Sequence, residues 1–231
     1  LKIMKLINII KKLYPFDYSI AGQGNDIAIK EFMKLLLFKV HSFKSGLKHN
    51  GWKIPHSWQL KKGLIKDGKK IIFDAKKKKF AVPIQSSSFS GEINYEKLID
   101  HIFISKKNKN ATPYNWTGLY RAQKPSWGFC MSENELKKIK KKRYKIEISS
   151  SIKKSKMKVL EYTLKGKSDE TIIINAHNCH PYQANDDISG CAVGIKLFQD
   201  LKKIKNRKFT YTLLIAPELY GPIFWLNKIN K

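Results

Sequence analysis

Asn175-Ala-His-Asn-Cys-His-Pro-Tyr-Gln-Ala-Asn-Asp-Asp-Ile-Ser-Gly190 is the stretch whose reading decides the fold. It follows the apolar run Thr171-Ile-Ile-Ile-Asn175 and leads into Cys191-Ala-Val-Gly-Ile-Lys-Leu-Phe198. The first run is short and β-branched and reads as a buried strand. The second has helical spacing, with Val193, Leu197 and Leu201 on one side. Histidines therefore leave the end of a strand, and two acids stand where a helix begins. In open α/β sheets, ligand sites gather outside the carboxyl ends of the strands. Imidazole and carboxylate together suit zinc or another divalent metal.

Downstream, Phe209-Thr-Tyr-Thr-Leu-Leu-Ile-Ala216 reads as a second buried strand. Residues 170–216 then form a strand–helix–strand unit, with a parallel pair and a right-handed crossover. Pro217-Glu218 follows, and then a last helical piece, Ile223 to Ile229. Upstream, Tyr144 to Ser149 and Lys156 to Lys165 read as strands. Ser132-Glu-Asn-Glu135 has the pattern of a capping box. Residues 1–42 hold two helical patterns, the second over Asn25 to Leu37 with Ile27, Ile29, Phe32, Leu35 and Leu36. Between Phe38 and Pro83, short β-like pieces alternate with Ser45-Gly46, Asn50-Gly51 and Asp67-Gly68, the texture of a small antiparallel unit. Ser86 to Gly91 reads as a loop. Ile93 to Ile104 reads as a helix burying Tyr95, Leu98, Ile99 and Ile102.

The chain has 231 residues, a length for one large domain or two modest ones. No apolar run reaches bilayer-spanning length, so no membrane segment is expected. The lysine-interrupted start, Leu1 to Leu13, reads as an amphipathic helix, not a signal peptide. Cys130, Cys179 and Cys191 are too few and too scattered for a disulfide framework, which fits a reducing cytoplasm. Asn110-Ala-Thr112 and Asn115-Trp-Thr117 match a glycosylation pattern and are discounted in a chain read as having no signal peptide. The net charge of +28 invites a nucleic-acid reading. Nearly all of it is lysine, however, with arginine only at Arg121, Arg143 and Arg207. Base and phosphate readers favour arginine's planar fork. The densest runs, Lys76 to Lys79 and Lys137 to Lys145, read as solvated faces, and no specific nucleic-acid partner is expected.

His177 stands just beyond its strand, in the position of a metal ligand; a capping role is the alternative. His180 can be a ligand, a substrate contact or a supporting group. Cys179 can bind metal or pack, with packing or support of the site favoured. Asp186 and Asp187 can cap the helix or bind metal, and Asp186 is the metal candidate while Asp187 is structural. Glu218 lies at the end of the neighbouring strand, where a carboxylate can activate water. The alternative for Glu218 is a surface acid at a helix start. Ser189 has no base at a recognisable spacing, which argues against a serine nucleophile.

His177-Asn-Cys-His-Pro181, Ala184-Asn-Asp-Asp-Ile-Ser-Gly190 and Pro217-Glu218 with Gly221 together resemble a bacterial aminopeptidase-like family. That family is found as a domain of unknown function and in polysaccharide-biosynthesis loci. It is distantly related to the cocatalytic zinc aminopeptidases and carboxypeptidases. Leu13-Tyr-Pro, Ser19-Ile-Ala-Gly22, Ile54-Pro55 with Trp58, Thr112-Pro-Tyr and Trp127-Gly-Phe-Cys130 agree with it. The resemblance implies an α/β fold: a zinc-aminopeptidase-like mixed sheet with helices on both faces, plus a small inserted β-rich domain. The implied bounds are core helices over 1–42, the insert over 43–112, and the core again over 113–231, incomplete at its C-terminus. It implies one or two Zn2+ ions held by His177 and Asp186, with further ligands beyond the chain, and Glu218 as general base. His180, Cys179 and Asp187 are expected to support the site or touch substrate. The implied reaction is hydrolysis of a peptide or amide bond through metal-activated water. An inactive fold that binds a peptide or glycan precursor is the alternative. The chain departs from the family at Tyr18, Ala21 and Leu219, where relatives carry Arg, Thr and Thr.

Overall fold

The computed structural model describes residues 5–115 and 126–229. Residues 1–4 of the first helical pattern, Arg121, and Trp116 and Thr117 of the second glycosylation match lie outside the described residues. In chain order, the first elements are α1 (Leu6–Leu13), α2 (Gln23–Leu35), β1 (Lys39–Lys44), β2 (Lys48–His49) and β3 (Trp52–Lys53). Then come β4 (Ser57–Asp67), β5 (Lys70–Asp74), β6 (Phe89–Asn94), α3 (Tyr95–Ile99), β7 (Ile102–Phe103), β8 (Phe129–Cys130) and α4 (Glu133–Leu136). The chain continues through β9 (Arg143–Lys153), β10 (Lys156–Leu164), β11 (Thr171–His177), α5 (Ser189–Leu201), β12 (Thr210–Ala216) and α6 (Tyr220–Ile229). Two compact units result: residues 1–57 with 154–231, and residues 58–153. The sequence reading placed these bounds at 43 and 112. The difference arises because β9 belongs with β4 and β6 in one sheet, which carries the smaller unit on to residue 153.

The larger unit is a mixed sheet of order β1-β10-β12-β11. β10 runs antiparallel to β1 and β12, while β11 and β12 are parallel, with His177 opposite Ala216. Strand side chains alternate between faces. Leu160, Leu213 and Ile215 join Ile9 and Leu13 of α1, Ala28 and Phe32 of α2, and Ile195 and Phe198 of α5 in one core. Burying each large side chain of that kind contributes roughly 1.5–3 kcal/mol. On the other face, Phe224 of α6 packs against Phe43 of β1, with ring centroids 6.1 Å apart. Trp225 of α6 donates its indole N–H to Glu161 Oε2 of β10 at 2.8 Å.

One expectation is corrected in this unit, the burial of β11, and the helices show which of their sides packs. α5 buries Cys191, Ala192, Gly194, Ile195 and Phe198, not the Val193–Leu197 side, which faces solvent. The small residues let the helix settle on the sheet: a Cβ at Gly194 would lie 2.7 Å from Leu213 Cδ1. β11 is not buried throughout, because it ends the sheet; Ile172 is 41% and Ile173 46% exposed. Ile27 of α2 is exposed, since Ala28 and Phe32, four residues apart, form the buried stripe.

The smaller unit is built on a sheet of order β5-β4-β9-β6. Tyr144, Ile146 and Ile148 alternate into its core beside Ile65, Phe73, Leu98 and Phe129. Trp127 stacks between Phe89 and His101, at 4.3 and 3.7 Å between ring centroids. The helix expected over Ile93 to Ile104 is a strand end, a short helix and another strand. β6 is held antiparallel by β9 through Asn94, and Asn94 then caps α3 by accepting from Lys97 N–H at 3.1 Å. The expected loop from Ser86 likewise gives way to β6 at Phe89. Ser132 and Glu135 form the expected capping box at α4.

Candidate metal centre

The parallel register brings the ends of β11 and β12 out side by side, so the segments after His177 and Ala216 meet at one sheet edge. Asn178 N–H donates to Ala216 O at 3.4 Å, and Glu218 N–H donates to Cys179 Sγ at 3.2 Å. Leu219 then turns the chain with φ +60°, and Gly221 N–H donates to Pro217 O at 2.8 Å. A Cβ at Gly221 would lie 2.3 Å from Ala216 Cβ, so the glycine sets how closely α6 can start against β12.

Between β11 and α5 an irregular turn, residues 184–188, carries both acids; the Asp186–Asp187 peptide bond is cis. Asp187 is turned to the backbone. Its Oδ2 accepts from His177 N–H and its Oδ1 from Gly190 N–H, each at 3.1 Å. Cys191 Sγ donates to His177 O at 3.3 Å. His177 is thus held at both its backbone polar groups, by Asp187 of the turn and by Cys191 of α5. Buried Asn25 of α2 ties the next residue: its Nδ2 donates to Asn178 O at 2.9 Å, while its Oδ1 accepts from Ser19 N–H at 2.8 Å.

The side chains so placed form one cluster. His177 Nε2 lies 3.0 Å from Asp186 Oδ1, and His180 Nε2 lies 3.9 Å from Glu218 Oε2. Cys179 Sγ sits 3.8 Å from His177 Nδ1 and 3.5 Å from His180 Nδ1. Donor atoms of His177, Cys179, His180 and Glu218 all lie within 4.8 Å of one another. The floor is shielded and the mouth is open: the side chains of His180 and His177 are 11% and 19% exposed, those of Glu218 and Asp186 42% and 61%. Burial holds the His180 imidazole below its ordinary value, against the pull of Asp186 and Glu218, which favours the neutral ring a metal needs. Burial also pushes the Cys179 thiol up to about 12 and the Cys191 thiol well above its ordinary value.

The structure thus brings together all six residues singled out in the sequence. Asp187 contacts backbone, and His177, Asp186, His180, Cys179 and Glu218 face one another. Two residues that fix the site escaped the sequence reading. Asn25 acts on Asn178 across 153 positions, a contact no local pattern signals. Cys191 looks in sequence like a small apolar helix residue. The donor set fits a divalent metal: imidazole nitrogen, carboxylate oxygen and sulfur are the groups zinc takes. His177 Nε2 and Asp186 Oδ1 are in direct contact at 3.0 Å, close to the ~3.3 Å that separates two ligands held at ~2.0–2.1 Å by one ion.

Comparison with known proteins gives the same fold. A curated relative from Clostridium acetobutylicum, provisionally named a polysaccharide biosynthesis protein with an aminopeptidase-like domain, is 30% identical over 226 residues. The match covers 97% of this chain and 51% of the relative, so the chain spans about half the length of the curated relative it matches. The crystal structure of a provisionally named peptidase from Clostridium acetobutylicum superposes with a TM-score of 0.83 at 28% identity, over 97% of this chain and 52% of that one. A zinc aminopeptidase from Bacillus subtilis shares the fold at a TM-score of 0.62 and 10% identity, over 98% of this chain and 66% of that one. With its mixed sheet and its cluster at the β11–β12 edge, the chain belongs to the family described as Domain of unknown function (DUF4910), which matches residues 7–231.

Proposed function

We propose that this chain carries the metal-binding part of an aminopeptidase-like hydrolase that cleaves a peptide or amide bond. The observation that carries the reading is the cluster itself: four metal-capable side chains gathered at two parallel strand ends, with Asp186 of the following turn beside His177, open to solvent on the carboxylate side. His177 and Asp186 would hold the ion. When bound, a zinc-like cation supplies Lewis acidity, polarising a carbonyl and making water more acidic.

The remaining work falls to the chain's own groups. Asp187 and Cys191 fix the His177 backbone, so the imidazole meets Asp186 without reorganisation. Glu218, at the mouth, takes a proton from the attacking water as its oxygen bonds to the carbonyl carbon. It returns that proton to the amine as the C–N bond breaks. The His180 ring lies 3.9 Å from Glu218, on the shielded floor of the same cluster. The aminopeptidase names of the structural neighbours support a peptide with a free amino end as substrate. The test is release of the first residue from aminoacyl amides, with metal content measured on the same samples. His177→Ala and Asp186→Asn should lose both metal and turnover. Full turnover in either variant would refute the assignment.

A further inference from the structure

We propose that Leu219 and Tyr182 are specificity residues: they wall a subsite beside Glu218 that takes an apolar or aromatic side chain on the residue whose bond is cleaved. This rests on the hydrolase reading above and gives it a substrate class.

The two residues follow two groups that face each other in the cluster. His180 Nε2 lies 3.9 Å from Glu218 Oε2; Tyr182 comes shortly after His180, and Leu219 directly after Glu218. Both are bulky, and both hold a left-handed backbone, at φ +54° and +60°. That conformation crowds the Cβ, and large side chains avoid it. At Leu219 the turn is tighter still. Tyr220 N–H donates to Glu218 O at 2.7 Å, closing a γ-turn around a positive φ, a rare and strained form. The leucine gains no burial in return: it is 45% exposed, next to a Glu218 side chain that is 42% exposed. The strained turn therefore does not serve the core. Strain of this kind gathers at ligand sites, where the bound molecule meets the side chain that the backbone holds out.

The surroundings keep both residues in place. Tyr220 is buried and meets the ring of Trp52 of β3 edge to face, with centroids 5.1 Å apart. Ile223 N–H donates to Leu219 O at 3.2 Å, which ties the turn into α6. With Gly221 pressed on Ala216, the turn cannot slide inward to cover the leucine. On the His180 side, Tyr182 N–H donates to Phe16 O at 3.1 Å, so the loop between α1 and α2 holds that backbone. The walls are thus set before substrate arrives, and little ordering is needed on binding. A leucine side chain and a tyrosine ring offer apolar surface. A substrate side chain that covers Leu219 removes apolar area from water on both partners. A polar side chain of the same size would lose water there without an equivalent partner.

The test is kcat/KM for leucinamide, asparaginamide and glycinamide, with calorimetric binding of leucine and glycine to the same metal-loaded samples. Wild type is compared with Leu219→Asn and Leu219→Gly. Asparagine is close to leucine in size, and both replacements tolerate a left-handed backbone, so both keep the turn. Wild type should favour leucinamide over glycinamide and asparaginamide by ~10–200-fold, and each variant should lose most of that ratio. Leucine binding should weaken in parallel, and Tyr182→Asn should lower the same ratio. An equal loss on all three amides would mark Leu219 as a structural residue and overturn the proposal. A wild type indifferent to the side chain would overturn it too, as would a preference that survives both variants. In each of these cases the hydrolase reading stands. If no amide is cleaved, that reading fails and leucine binding decides the subsite. Leucine binding that depends on Leu219 would uphold it, and no leucine binding would overturn both.

Discussion

Gly190 shows how one residue can decide the centre. A glycine in a helix costs ~0.5–1 kcal/mol relative to alanine, so Gly190→Ala would ordinarily stabilise α5. Here a Cβ would lie 2.2 Å from Asp187 Oδ1, inside the carboxylate that holds His177 N–H. The collision outweighs the propensity gain. Displacing Asp187 leaves the His177 N–H without its carboxylate partner, at a cost of ~1–3 kcal/mol. Gly190→Ala is therefore expected to lower stability in urea denaturation and zinc affinity in competition titrations, the latter by ~10–100-fold, the usual effect of losing a supporting partner. Unchanged values in both would show that Asp187 does not position His177. The sequence announced this locality because its signals are short-range: His177, Asp186, Asp187 and Gly190 fall within fourteen residues. Asn25 was silent, because its partner is assigned by the packing of α2 against the sheet edge.

Among the elements, α6 is pinned to the sheet by polar contacts as well as by Phe224. Glu161 of β10 accepts from Trp225 Nε1 at 2.8 Å and meets His41 Nε2 at 2.7 Å, while Lys228 Nζ lies 3.1 Å from His41 Nδ1. Burial alone would raise the Glu161 carboxyl, but Trp225 and His41 hold it below its ordinary value. A carboxyl depressed in the folded state contributes stability above its unfolded pKa of ~4.3, and that contribution is lost as pH falls through the lower folded value. Glu161→Gln should therefore cost ~1–3 kcal/mol at neutral pH, with the gap to wild type narrowing in acid. Denaturation curves at pH 7 and in the acid range check this; a gap that widens in acid would contradict the contact's ionic character. The order of strands and helices from residue 143 onward was legible, because β-branched runs and helical spacing are local signals. Which side of α5 faces the sheet was not. Apolar spacing groups Val193 with Leu197 without saying which side packs, whereas close approach to Leu213 favours the small residues Ala192 and Gly194. The Ile93 to Ile104 stretch failed similarly, since pairing of β6 with β9 overrides a helical pattern.

Across the whole molecule, a charge of +28 coexists with a local cluster of carboxylate, imidazole and thiol groups. Many lysines hold local carboxylates, as Lys66 does Glu147 at 2.8 Å and Lys203 does Asp200 at 2.6 Å. Exposed charges of this kind are screened beyond ~8 Å at physiological ionic strength. Binding to heparin or DNA is expected at low salt and is expected to vanish with modest added salt, as a salt-gradient elution would show. Retention at high salt, selective for one sequence, would instead reveal a built nucleic-acid surface. Among the described residues, no helix is long and apolar enough to cross a membrane. The β11–β12 edge is proposed above as a metal-dependent hydrolytic centre with Glu218 as its base. The most direct measurement is aminoacyl-amide turnover and bound metal, determined together for wild type and Glu218→Gln. Full metal content is expected in both, with turnover lower by ~10²–10⁴-fold in the variant. Equal turnover in the two proteins, or a metal-loaded wild type that releases no amine, would contradict it.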